Sequence, residues 1–324
     1  MRNLAPLRED FAYIRIMQTV LITGGTGTIG KALSKLLLEK NYRVIILTRD
    51  SAKHQPAGNL AYADWNIQQQ TISKEAIQSA DYIIHLAGAG VADKRWTRKR
   101  KQEILNSRTQ SSALLLKALN ENTHHVKALV SASAIGWYGA DPVIPNPKPF
   151  VESDPADTAF LGATCQKWEA SISPVKALGV RLAICRTGIV LSNNGGAFVE
   201  FLRPLRFGIA PILGSGKQII SWIHETDLCR IYLALMENEN FSGVYNAVAP
   251  SPLSNQQFMM KLGKKRNGNF FLPIPVPAFA LKAVLGEMSI EILKSATVSC
   301  DKLLSAGFHF SFPSIDQALE NLVQ

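Results

Sequence analysis

The chain has 324 residues, enough for two lobes at roughly 150 residues per domain. With 47% hydrophobic and 19% charged residues, it is neither a disordered tail, nor a collagen-like repeat, nor a coiled coil. A formal net charge of +10 suits an anionic ligand such as a nucleotide and, more weakly, a nucleic acid.

In residues 1–18, Arg2, Arg8, Glu9, Asp10 and Arg15 interrupt the apolar core that a secretion signal needs. This stretch is expected to be a dispensable extension, since Met17 can itself start the chain. Residues 19–23 then form a short apolar run ending in a Gly-rich turn, and Ile29, Leu33, Leu36 and Leu37 follow at helical spacing. Residues 43–47 are apolar and β-branched after the Asn41 stop signal. The opening therefore reads strand, helix, strand, which requires a parallel pair with a right-handed crossover. Further strands are expected at 81–86, 126–131 and 180–190, with helices over about 98–119 and 162–178.

That alternation predicts an α/β fold, a Rossmann-like doubly wound parallel sheet with a smaller C-terminal substrate lobe. After Leu191, Gly195, Gly196, Pro204, Gly208, Pro211, Gly214 and Gly216 punctuate a stretch suited to that lobe. Residues 222–247 hold a helix and a short strand, 243–247, that returns to the sheet before the Pro-rich stretch 273–277. The expected division is an extension at 1–18, a dinucleotide-binding domain at 19–248 that lends 192–221 to the substrate lobe, and a small C-terminal domain at 249–324. Cys165, Cys185, Cys229 and Cys300 lie far apart without metal-ligand spacing, so no metal site and no disulfide is expected. No run of about 18 apolar residues occurs. The expectation is a cytoplasmic protein that engages no membrane.

The turn after the first strand places Gly24, Gly27 and Gly30 at the glycines of a GxxGxxG pattern between strand and helix. In such a turn Gly24 permits a tight exit and Gly27 a close approach to a pyrophosphate. Gly30 allows helix to pack on strand, while the helix N-terminus offers N–H groups to the anion. The second strand ends in Thr48 and Arg49, where an NAD-binding unit would carry an acidic residue for the ribose 2′-hydroxyl. A guanidinium there pairs with a 2′-phosphate, so NADP is the favoured cofactor. Asp50, next along, keeps NAD in play.

The stretches TGGTGTIG (residues 23–30), HLAG (85–88) and SASAIGWYG (131–139) resemble an extended short-chain dehydrogenase/reductase. ADKRWT (92–97), NSR (106–108) and the run from RTGIVLSNNGGA through GSGKQIISWIHETDL narrow the resemblance. They point to the sugar-nucleotide-epimerase-like, NAD(P)-dependent epimerase/dehydratase subfamily with a small C-terminal domain. The resemblance covers nearly everything from Gln18 onward. It implies that Thr26, Thr28 and Ile29 meet the pyrophosphate, and that Thr48 and Arg49 meet the adenosine ribose. It further implies that Asp64 faces the adenine, that Leu86, Ala87 and Gly88 lie against the cofactor's middle, and that Glu103, Arg108 and Val190 are its neighbours. His224 and Asp227 resemble a structural His-x-x-Asp.

The same resemblance implies a Ser, Tyr and Lys catalytic set. Ser133 matches the serine. Counting back from Glu169, however, puts Cys165 at the lysine and Leu161 at the tyrosine, so the acid/base pair is missing. Cys165 can replace it if a neighbouring cation lowers its pKa; otherwise it is a small buried hydrophobe. Tyr138 and Lys167 are further titratable groups nearby. The positive run at Lys94, Arg95, Arg98, Lys99, Arg100 and Lys101 surrounds Trp96. Arg95, Trp96 and Tyr138 are the residues expected at a small-molecule substrate, with the remaining charges at a solvated helix start. Three functions follow: an NADP-dependent oxidoreductase or epimerase-like enzyme, an NADP-binding regulator or sensor without turnover, and, last, a nucleic-acid binder, for which no recognised motif is present.

Overall fold

The computed structural model describes residues 17–323, so all but the last two residues of the expected extension lie outside the described residues. β1 (Thr19–Thr23) is buried along its whole length, as a parallel strand covered on both faces must be. α1 (Thr28–Glu39) buries Leu33 and Leu37 and carries the chain to β2 (Arg43–Thr48). There follow β3 (Leu60–Asn66), the short β4 (Thr71–Ile72) and α2 (Lys74–Ser79), whose first turn is capped by the Ser73 hydroxyl. β5 (Tyr82–His85) leads into α3 (Arg98–Glu121), capped by Thr97. Next come β6 (Ala128–Ala134), α4 (Phe160–Ile172) and β7 (Arg181–Thr187).

Two expected elements are shorter than the sequence suggests. The helix over 162–178 becomes a 3-10 turn after Ile172, because Pro174 cannot donate to a continuing helix. The strand over 180–190 breaks at Gly188, where a Cβ would lie 2.6 Å from the Ser221 carbonyl oxygen. That close backbone approach turns β8 (Ile189–Leu191) out of the main sheet.

The remaining elements are α5 (Ala197–Leu205), β9 (Ile209–Leu213), β10 (Ile219–Ile220), β11 (Trp222–His224), α6 (Glu225–Glu237), β12 (Gly243–Ala247) and β13 (Leu253–Ser254). The chain closes with α7 (Asn255–Asn267), β14 (Leu272–Val276), α8 (Ala278–Leu285), α9 (Ser289–Leu293), α10 (Asp301–Ser305) and α11 (Ile315–Leu322). The main sheet has eight strands in the order β12-β7-β6-β5-β1-β2-β3-β4. Every neighbouring pair is parallel except β3 with β4. β12 returns to the edge as expected. The order reverses between β1 and β5, and at such a switch point a ligand crevice opens beyond the carboxyl ends of the strands.

Alternation along β1 sends Val20 and Ile22 to one face, against Leu33, Leu228, Ile231 and Leu235, and Leu21 to the other, against Leu114 and Leu115. A further core gathers Phe198, Leu205, Ile212, Trp222, Phe258, Leu262 and Leu319. Residues after 249 divide between the cores, since Leu303 and Phe308 pack with the first face of the main sheet. Each such buried side chain contributes about 1.5–3 kcal/mol. No helix of the described residues is long and apolar enough to cross a membrane.

Candidate functional site

The turn from β1 into α1 is shaped by what its glycines lack. Gly24 has φ +71°, and a Cβ there would sit 2.9 Å from the Leu86 carbonyl carbon; at Gly30 a Cβ would sit 2.4 Å from the Gly24 oxygen. The β1 turn is thereby pressed onto the segment after β5, at the switch point. Gly27 caps α1 without any side-chain hydrogen bond, so the first N–H groups of the helix stay open to an anion. Thr26 is exposed, and Thr28 and Ile29 are half-buried beside them. From the other lobe, a Cβ at Gly195 would come within 2.9 Å of the Thr28 hydroxyl. Thr26, Gly27, Thr28, Asn194 and Glu225 line one cleft of about 740 Å³.

A buried polar chain holds the two strand ends in place. The Ala87 N–H donates to Thr23 Oγ1 at 3.2 Å, and that hydroxyl lies 2.7 Å from His85 Nδ1. His85 Nε2 faces Ser112 Oγ at 3.2 Å and Ser111 Oγ at 3.3 Å, and both serines donate to the Arg108 carbonyl. With both serine protons spent, the consistent assignment is Thr23 donating to Nδ1 and Nε2–H donating to the serines. Burial pulls the imidazole pKa down to about 3, which keeps it neutral. The sequence carried a signal for this pair, because Thr23 and His85 are polar residues ending two apolar runs and stand opposite each other in the β1–β5 register.

At the carboxyl end of β2, Thr48 is half-buried and Arg49 is exposed, without an ion-pair partner among the described residues. Asp50 is paired with Lys53 at 2.9 Å, whose hydrogen bond draws its carboxyl below the usual range. Asp64, opposite Thr48 in the β2–β3 register, accepts from the Ser51 N–H at 2.6 Å and the Ser51 hydroxyl at 2.9 Å. The free charge at this end is therefore the guanidinium.

The loop between β5 and α3 is organised by two arginines. Arg108 donates to the Ala89 and Ile104 carbonyls, stacks over Trp168 at 4.8 Å and backs Gly88, where a Cβ would meet its guanidinium at 3.1 Å. Arg108 thus supports the loop. Arg100, expected at a solvated helix start, is instead buried; it binds the Gly90 carbonyl, Asp93 at 3.2 Å and Glu103 at 2.8 Å. Glu103 is accordingly an exposed ion-pair partner. Trp96 is buried edge-on to Phe160 at 4.9 Å and donates to the Val91 carbonyl. Arg95 remains exposed, lying along Gly286 of the C-terminal segment.

Behind the end of β6 lies a network that sequence reasoning did not anticipate. Ser133 Oγ donates to Glu169 Oε1 at 2.6 Å. Arg186 donates to the same carboxylate through Nε at 2.8 Å and Nη2 at 3.0 Å, lies 3.6 Å over the Trp137 ring, and reaches the Tyr138 hydroxyl at 3.0 Å. Tyr138 is fully buried, stacked on Phe150, with its hydroxyl donating to Asn246 Oδ1 at 2.7 Å. This corrects the expectation that Tyr138 faces a substrate: desolvation pushes its phenol up to about 12, and its hydrogen bonds are committed. Ser133 is likewise spent on Glu169.

Cys165 is buried, 3.7 Å from the Ala134 carbonyl. Acid/base work as a thiolate required a lowered pKa, yet burial and then the Glu169 charge raise it to about 11, outweighing Arg108. Leu161 packs at Gly136, Lys167 is exposed, and Val190 is half-buried in β8. His224 Nδ1 accepts from the Thr226 N–H while its ring stacks on Phe312, and Asp227 accepts from the Ser311 and Phe312 N–H groups, so both tie α6 to the C-terminal segment. No cluster able to hold a metal occurs among the described residues.

Residues 20–164 match the model of the NAD dependent epimerase/dehydratase family, and residues 276–322 match DUF1731, a domain of unknown function. Epimerase family protein YfhF of Bacillus subtilis is 32% identical over 94% of this chain and 97% of its own length. The chain belongs to the NAD dependent epimerase/dehydratase family. Another relative, epimerase family protein SSP1921 of Staphylococcus saprophyticus, is 35% identical over 95% of this chain and 100% of its own length. Human epimerase family protein SDR39U1 (isoform 2), solved with NADPH, shares the fold with a TM-score of 0.81 and 29% identity, covering 94% of this chain and 99% of that one. The sheet is thus an NAD(P)-binding Rossmann fold, and this epimerase-family member carries Leu161 and Cys165 on α4 where the resemblance implies a Tyr–Lys pair.

Proposed function

We propose that this protein binds NADP(H) and acts as an oxidoreductase of the epimerase/dehydratase type on a small organic substrate. The observation that carries this reading is the exposed, unpaired Arg49 beside an Asp50 already tied to Lys53. The turn fits a dinucleotide, since Gly24 and Gly30 let it close onto the backbone around it and the first N–H groups of α1 carry no side-chain cap. A bound nicotinamide dinucleotide supplies hydride exchange. The open N–H groups of α1, with Thr26, Thr28 and Ile29, would hold the pyrophosphate, and Arg49, with Thr48, the 2′-phosphate. Leu86, Ala87 and Gly88, braced by Arg108 and the Thr23–His85 pair, would set the floor under the dinucleotide, with Val190 as a neighbour. The NADPH in the human relative supports the phosphate-bearing cofactor.

Cys165 keeps its proton at neutral pH and directs it at the Ala134 carbonyl, and Ser133 is held on Glu169, so turnover would need a proton carrier other than a Cys165 thiolate. Turnover of ordinary UDP-sugars should be low, because general acid/base transfer supplies typically about 10²- to 10⁴-fold. Titration calorimetry with NADPH and NADH tests the cofactor: NADPH should bind more tightly, and Arg49→Asp should remove the preference. Equal affinities in the unmodified protein overturn it.

The missing Tyr–Lys pair favours a second reading, an NADP(H)-binding sensor without turnover. NADPH oxidation with any member of a carbonyl panel would exclude it.

A further inference from the structure

The parallel register sets Ile209 opposite Leu272, Pro211 opposite Ile274 and Leu213 opposite Val276. Residues paired across strands point to the same face. The alternate residues of β9, Ala210 and Ile212, are buried with Phe258 and Leu262 of α7. The first face stays open, with Ile209 36%, Ile274 41% and Leu272 64% exposed. α8 continues directly from β14, is apolar except for Lys282, and has no buried residue. Apart from Lys282, this open surface offers no side-chain hydrogen-bond donor to read a sugar or a base.

It does not end in solvent. The turn after α8 returns to the β5–α3 loop and the start of α3, where a Cβ at Gly286 would meet Arg95 Nε at 2.8 Å and Glu287 pairs with Lys101. At the far end of β9, a Cβ at Gly214 would meet Leu293 of α9 at 2.7 Å. Across the end of the β5–α3 loop and the first turn of α3, Arg100 and Lys101 have carboxylate partners, while Lys94, Arg95, Arg98 and Lys99 form no ion pair among the described residues. The apolar face thus runs, through α8, to the unpaired Arg95.

Two other occupants fit less well. The Leu272 N–H points to the Gly208 carbonyl, so the alternate positions, Pro273 and Pro275, face outward without an N–H and cannot template another strand. A second copy would bring the same free cations together. We propose that the substrate of this protein is an amphipathic anion, its charged end held by Arg95 of the β5–α3 loop and its apolar body laid on the β9–β14 face and α8. This rests on the reading of the protein as an enzyme acting on a small organic substrate beside the β5–α3 loop.

The test is a calorimetric titration of the NADPH-loaded protein with dodecyl phosphate below its micelle concentration, beside inorganic phosphate and UDP-glucose. Dodecyl phosphate should bind more tightly than either. Ile274→Asn and Arg95→Ala should each weaken it by about tenfold, the effect of losing a buried side chain or a charged hydrogen bond, with NADPH affinity unchanged. The proposal is overturned if UDP-glucose binds more tightly, or if neither variant affects dodecyl phosphate. It is equally overturned if the protein sediments onto phosphatidylglycerol vesicles without binding the monomeric amphiphile, or forms a dimer that Ile274→Asn dissolves. Failure of NADPH to bind in a separate titration would strike the cofactor reading, whereas normal NADPH binding without dodecyl phosphate binding strikes this one alone.

Discussion

One exposed guanidinium sets the expected cofactor preference. If Arg49 forms a bidentate pair with a 2′-phosphate, Arg49→Asp should cost NADPH binding about 1.5–3 kcal/mol, the range for hydrogen bonds to charged groups, and leave NADH binding nearly unchanged. His85 has the opposite character, since its burial keeps it neutral, with a pKa moved from 6.5 to about 3. Below pH 6.5 the unfolded chain takes up a proton that the folded chain refuses. Stability should therefore fall as pH drops from about 6.5 toward 3, at up to about 1.4 kcal/mol per pH unit from this residue. Urea denaturation at pH 7 and pH 5 measures the loss, and His85→Gln should shrink the difference between the two. The Glu169–Arg186 pair, buried with Ser133, is a third case. Glu169→Leu should destabilise the fold by about 3–5 kcal/mol, because it strands a buried guanidinium; a midpoint shift in denaturant reads this directly.

Among the elements, β14 shows how a short edge can be left exposed. Its outward positions are prolines, so the strand keeps its bonds to β9 yet offers no donors to solvent. Replacing Pro273 and Pro275 together by Val should restore those donors on an apolar strand, and light scattering should report more concentration-dependent association than the unmodified protein shows. At β7 the deciding feature is contact: the composition of 180–190 reads as one apolar strand, but Gly188 lies against the Ser221 backbone and β8 pairs instead with β11. Gly188→Ala would push a methyl group toward that carbonyl, and thermal unfolding should show a clear loss of stability.

For the whole molecule, the residues after 249 do not form one separable block. Leu303 and Phe308 pack with Val20 and Val44, while Phe258, Leu262 and Leu319 form the core beneath β9. Asp141, in the loop beyond β6, accepts from Ser295 and Thr297, and Ser221 donates to Ala296 and accepts from the Val298 N–H. Two lobes stitched this way should unfold in one cooperative transition. Coincident denaturation curves by near-UV and far-UV circular dichroism check this, and a resolved second transition would contradict it.

The sequence by itself determined the doubly wound sheet and the phosphate turn, because hydrophobic period and glycine placement are local properties that survive without knowledge of distant partners. It also carried the family resemblance and the absence of Tyr and Lys on α4. It left open which charges are spent. Arg49 could be singled out from its place at the end of the second strand, but Arg100 reads as one more charge of a solvated helix start, yet it is buried against Gly90, Asp93 and Glu103 while Arg49 is free. Ser133 and Tyr138 sit within a motif that implies a reacting centre, and only folding revealed that Glu169 and Asn246, 36 and 108 residues away, take up their hydroxyls. The tertiary structure decided these points because a polar group's role depends on which partner reaches it and how much water remains beside it, and neither is encoded in local spacing.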